Sequence, residues 1–168
     1  MKVSFEDLSP ESIVWIYQAE RVLNNEEQKT VMARMDDFFS SWQSHNEDVE
    51  AAGKIFYDRF VVIGAESGEH VSGCGIDKSI HFIKELEKEL NIKLMDRSFV
   101  IYGTEKEFSQ TTLQEIKKLV SEEKVSSDIK IFNNTITKKK ELENKWQIPL
   151  KESWLSKYIP IKNNNSHK

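Results

Sequence analysis

The chain has 168 residues and a mass of 19.6 kDa, 38% hydrophobic and 31% charged, which suits one domain of modest core with an appendage. A single cysteine excludes an internal disulfide framework and a cysteine-rich metal site. No apolar run approaches the roughly 18 residues of a membrane span, and Met1–Asp7 carries no apolar signal core, so a soluble cytoplasmic protein is expected, with no membrane partner.

Ile13–Tyr17, β-branched and aromatic after Pro10, predicts a buried first strand. Asn25-Glu26-Glu27-Gln28 predicts a capped helix start, and Val31, Met35, Phe38, Phe39 and Trp42 give that helix one apolar face up to about Ser44-His45-Asn46. Residues 54–65 predict the strongest strand, residues 66–69 a hairpin turn, and residues 71–76 the returning strand. From Asp77 the period becomes helical, with Ile80, Phe82, Ile83, Leu86 and Leu90 inward and Asn91 as the stop; residues 98–103 predict a further strand. The order βαββαβ predicts an α+β fold, a ferredoxin-like two-layer sandwich over residues 1–103, with a three-layer α/β arrangement as its rival.

Residues 104–160 are expected to form a mostly helical C-terminal extension packed on that core. It holds a helix capped by Thr111 or Thr112, a short strand over 128–132, a helix over 138–146 and a last amphipathic turn at Trp154, Leu155, Tyr158 and Ile159. Residues 161–168 are expected to be disordered. The net charge of −4 is uneven, since residues 138–168 carry eight lysines against three glutamates and leave −9 on the rest. An acidic body disfavours nucleic acid. The basic tail, with Trp146, Trp154 and Tyr158 among its lysines, suits a protein partner or phosphates.

Candidate chemistry gathers at Ser72-Gly73-Cys74-Gly75-Ile76-Asp77-Lys78-Ser79, where a strand is expected to turn into a helix capped by Asp77. Backbone N–H groups and the helix dipole converge at such a junction, so Ser72, Gly73, Cys74, Gly75, Asp77, Lys78 and Ser79 are candidate ligands for a small anion or phosphate. Arg59 joins them if it points inward. At least one of the two flanking glycines is expected at positive φ. Cys74 is the candidate nucleophile or redox thiol, with Lys78 and His81 as helpers; a small buried side chain is its plainer reading. His70, Cys74, Asp77 and His81 lack the paired spacing of a zinc site, so no metal is expected, and no cofactor. Lysine is missing where a phosphate-binding P-loop needs it, because Cys74-Gly75 stands there.

Three stretches, Val14–Gln18, Tyr57–Phe60 and Ser72–Ile83, resemble a small uncharacterised bacterial family whose members are often automatically labelled "ABC transporter ATPase". The label implies nucleotide hydrolysis, and the residues for it are absent here. With no complete catalytic constellation, a non-catalytic binding or adaptor protein is the expected function. A thiol-dependent protein and an anion binder are the alternatives.

Overall fold

The computed structural model describes residues 1–44, 46–66, 73–104 and 107–161, with main chain alone at 73 and 74. The fold is α+β, and the chain divides into two compact units. The first holds Met1–Asp96 with Ile136–Leu142; the second holds Arg97–Thr135 and the chain from Glu143. Among the described residues no helix is long and apolar enough to cross a membrane.

In the first unit, β1 (Ile13–Gln18), β4 (Ala51–Phe56) and β5 (Phe60–Ala65) form an antiparallel sheet in the order β1-β5-β4. β5 is buried at every position because both faces are covered. Val61 and Ile63 face the helices α1 (Asn25–Ser41) and α2 (Gly73–Leu90), while Gly64 lies against Leu8 and Phe5 of the N-terminal segment. That double cover explains why β5 is uniformly apolar rather than alternating. Between α1 and β4 runs a small hairpin of β2 (Gln43–Ser44) and β3 (Glu47–Asp48). The returning segment 136–142 lies along the outer edge of β1, where Val14 N–H donates to Thr137 O and Lys139 N–H to Ser12 O.

α1 starts one residue earlier than Asn25 predicts. Asn24 is the cap: its side chain accepts from Glu27 N–H and the Glu27 carboxylate accepts from Asn24 N–H, a reciprocal capping box. α2 ends at Leu90, where Asn91 takes φ 49, the left-handed stop that asparagine tolerates.

The long strand over 54–65 is instead a hairpin. Tyr57 and Asp58 take φ 53 and 58, and Arg59 N–H donates to Phe56 O at 3.1 Å, which is a type I′ turn. Its usual signal, Asn-Gly, is missing, so the turn was hidden under an apolar run. The turn predicted at 66–69 falls mostly outside the described residues.

Residues 98–103 do not join the first sheet. β6 (Phe99–Gly103) lies inside a second antiparallel sheet, ordered β7-β6-β8-β9 with β7 (Phe108–Thr112), β8 (Lys130–Phe132) and β9 (Gln147–Pro149). The described strands thus form separate sheets of three, two and four strands, not one ferredoxin-like sheet. Local periodicity marks a strand but leaves its pairing partner open, and β6 finds two neighbours downstream. α3 (Leu113–Ser121), capped by Thr112, buries Ile116 and Val120 with Val100, Ile131, Leu150 and Leu155. The extension is therefore mixed rather than mostly helical. Residues 138–146 hold only the 3-10 turn Lys139–Leu142 before the chain enters β9, and a second 3-10 segment spans Trp154–Tyr158.

Candidate functional site

The octet at 72–79 is mostly helix. α2 begins at Gly73, so Gly73, Cys74, Gly75 and Ile76 are helical rather than the end of a strand, and Asp77 is an exposed position within α2 rather than its cap. Two glycines in a helix cost roughly 1 kcal/mol each relative to alanine, so the local sequence disfavours this start. Packing overrides it. The buried Trp42 indole Nε1–H donates to Gly75 O at 3.0 Å, and a β-carbon at Gly75 would meet Ser44 Cβ and Oγ at 3.1 Å. Gly75 is there to let α2 close on Trp42 and Ser44. It takes no positive φ; among the described glycines only Gly103 does.

The other candidates of this stretch are tied to the same packing. The Lys78 ammonium donates to Gln43 O at 3.1 Å. Ser79 is buried, and its hydroxyl donates to Ile76 O, one turn back, at 2.7 Å. Ser72 and His70 lie outside the described residues, as does the side chain of Cys74. His81 is well exposed on α2 and faces Glu85 one turn on, Nε2 to Oε1 2.7 Å. Among the described residues no group of three His, Cys, Asp or Glu side chains could hold a metal ion.

Arg59 is buried, as an inward orientation requires, but at the far end of the sheet. Its Nη2–H donates to Ala19 O at 3.0 Å beside the 57–59 turn, whereas Gly75 abuts the segment leading into Ala51, which pairs with Ala65. Burial pulls the Arg59 guanidinium below its ordinary pKa.

A groove of about 580 Å³ in the first unit runs along α2 past Glu20, His81, Lys84, Lys88 and Lys93. Its three lysines are matched by Glu20, Glu85 and Glu87. The Glu87 carboxylate accepts from Leu94 N–H and Met95 N–H at 2.7 and 3.1 Å, tying down the loop after α2. The groove has no charge of its own to attract an ion, and its groups are those of a solvated helix face.

In the second unit the three tail aromatics have different fates. Trp146 is buried against Phe132, ring centroids 5.1 Å apart, and its Nε1–H donates to Asn134 Oδ1 at 2.8 Å. It belongs to the core, not to a docking surface. Trp154 stands 42% exposed. Tyr158, on the same 3-10 segment, is half-buried, with the Lys157 and Lys117 ammonium groups 5.3 and 5.4 Å from its ring centroid. Neither lysine pairs with a carboxylate of the described residues. Lys117 comes from α3, which packs on this segment. No sequence spacing could have joined it to Tyr158, because their proximity arises only when α3 and the tail share one core.

The chain has no significant match among protein-family models, curated proteins or solved structures.

Proposed function

We propose that this is a non-catalytic binding protein of the cytoplasm that engages a protein partner through the second unit, at Trp154, Tyr158, Lys117 and Lys157. The observation that carries this reading is Trp154, a large aromatic left 42% exposed on the same 3-10 segment as Tyr158, whose ring has two lysines over it. Tryptophan is enriched where proteins meet and among the residues that carry binding energy there. In the first unit, by contrast, Arg59, Lys78, Ser79 and His81 each have a partner within the fold. The sequence resemblance to the small bacterial family adds no hydrolytic activity to this reading.

Removing the tail is not the test, because Leu150 and Leu155 are core residues and their loss would unfold the second unit. The test is a full-length bait carrying Trp154→Ala and Lys157→Glu. A partner recovered by the wild-type bait should be lost by this one at unchanged melting temperature. Equal recovery by both baits sinks the proposal.

A second reading rests on Cys74, whose main chain lies in the first turn of α2, where the helix dipole favours a thiolate. Its measurement is the pH dependence of alkylation in the native protein. A thiol that reacts only after denaturation removes this reading.

A further inference from the structure

We propose that the groove between α1 and α2 takes an arginine side chain carried on a basic segment of a partner protein. This surface lies in the first unit and does not depend on the Trp154 reading. The two helices pack antiparallel, since Arg34 meets Glu89, Phe38 stacks on Phe82, and Trp42 bonds to Gly75 O at the far end. Between them runs a groove of about 300 Å³. Phe82 and Leu86 are buried and Phe38 half-buried, so its inside is apolar, while Arg34, Asp37, Glu85 and Glu89 stand exposed at its mouth.

The mouth is acidic. Arg34 and Glu89 cancel each other in a bidentate pair, 2.9 Å at both contacts, which leaves the carboxylates of Asp37 and Glu85. His81 Nε2 lies 2.7 Å from Glu85 Oε1; donation by a neutral imidazole leaves that carboxylate its charge and its second oxygen. Of the lysines on α2, Lys84 and Lys88 line the groove past Glu20, and Lys78 is held on Gln43 O at 3.1 Å. On α1, Lys29 pairs with Glu26 at 3.6 Å, and Asp36 is matched by Lys2 at 3.2 Å. The two helices together carry eight carboxylates against five lysine and arginine side chains.

This chemistry selects the occupant. A volume of about 300 Å³ is at the low end for a ligand pocket and holds one long side chain rather than a helix. Arginine lays three methylenes on apolar surface and keeps its charge outside, and its planar fork offers donors to two carboxylates at once. A chain of net charge −4 attracts a basic segment and repels nucleic acid or an acidic peptide.

The probe is fluorescently labelled octa-arginine, titrated with the full-length protein at pH 8 and followed by anisotropy. It should bind, bind more weakly as salt is added, and lose at least about tenfold in affinity with Asp37→Asn/Glu85→Gln. Glu26→Gln/Asp77→Asn removes two exposed carboxylates of the same helices outside the groove and should cost no more than about twofold. Should the groove variant melt lower than wild type, Asp37→Asn alone replaces it, compared with Asp77→Asn, at about half the logarithmic effect. The Leu86 methyl resonances should also shift as octa-arginine is added. Absence of binding, equal losses in the two variants, or a Leu86 signal that stays still overturns the inference. Loss of octa-arginine binding with Trp154→Ala overturns it too, by moving the contact to the second unit.

Discussion

The two units treat their unusual residues in opposite ways. In the first, aromatic and polar side chains alike are drawn into the fold: Phe38 stacks on Phe82 at 4.6 Å and on Trp42 at 5.0 Å, and Trp42 in turn holds the Gly75 carbonyl. In the second, Trp146 is just as buried, but Trp154 stands exposed and Tyr158, half-buried against the core, has two lysines over its ring. The stretch that looks most chemical, Gly73-Cys74-Gly75, is where a helix closes on a tryptophan. The tail, which looks like an afterthought, carries the exposed Trp154. A motif rich in glycine reports close approach of backbone as readily as it reports a ligand.

The tryptophans offer the strongest way to break this contrast. Trp42→Ala and Trp146→Ala should each destabilise their own unit by about 3–5 kcal/mol, since each empties a fully buried site and strands a hydrogen-bond acceptor. Trp154→Ala should stay within about 0.5 kcal/mol, as an exposed substitution does. Urea unfolding followed by circular dichroism measures all three. A cost for Trp154→Ala like that of Trp146→Ala would make the exposed tryptophan a structural residue and remove the support for a docking surface.

Gly75→Val tests the helix start in the first unit. Its β-carbon would sit 3.1 Å from Ser44 Cβ and Oγ, with two methyl groups still to place beside Trp42. The expected loss is about 1–3 kcal/mol from overpacking. Asp77→Ala, on the exposed face of the same helix, should change stability by no more than about 0.5 kcal/mol. If the costs came out reversed, Asp77 would be a cap after all and α2 would start later.

How much of this was legible can be judged residue by residue. β1, the apolar face of α1, the inner face of α2, the stop at Asn91 and a cap of α3 at Thr111 or Thr112, which the structure places at Thr112, follow from periodicity and capping, which are local signals. The hairpin inside 54–65 was hidden because Tyr57-Asp58 is not the Asn-Gly or Asp-Gly pair that marks a type I′ turn. The start of α2 was misplaced because two glycines oppose a helix that only Trp42 and Ser44 make worthwhile. The pairing of β6 with β7 and β8, and the meeting of Lys117 with Tyr158, are long-range facts that no window of sequence contains.

The helix caps sharpen the contrast between the units through pH. Glu27 is hydrogen-bonded by Arg21, at 2.6 and 2.8 Å, and by Asn24 N–H, which lowers its carboxyl from 4.5 to about 2. A depressed carboxyl stabilises the fold fully above its unfolded pKa, near 4.5, and that contribution fades as the pH falls toward 2. Arg21 is about half exposed, so solvent screening limits the effect to about 1 kcal/mol. Stability measured from pH 6 to pH 2 should therefore fall less steeply in Glu27→Gln. The Thr112 hydroxyl that caps α3 has no such titration, and Thr112→Ala should cost about 1 kcal/mol at either end of that range.

The smallest effect tests the one place where the first unit departs from its own habit. Tyr57 is 44% exposed and sits in the left-handed region together with Asp58, a conformation that costs a bulky residue about 1 kcal/mol or more. The turn persists because its neighbours hold it: Leu23 N–H donates to Asp58 O and Ala19 N–H to Arg59 O, both at 2.8 Å, while the Gln28 amide reaches Asp58 Oδ1 at 3.2 Å. Tyr57→Asn keeps all of these contacts and supplies the residue a type I′ turn favours at its first central position. It forfeits an edge-on contact with Phe60, ring centroids 6.3 Å apart, so the net gain should be only about 0.5 kcal/mol. A rise of one or two degrees in the first unit's melting temperature is the expected reading. A fall would mean that Tyr57 contributes more through packing than its backbone loses, and the rule that the first unit spends its aromatics on its own fold would then hold at its most exposed corner.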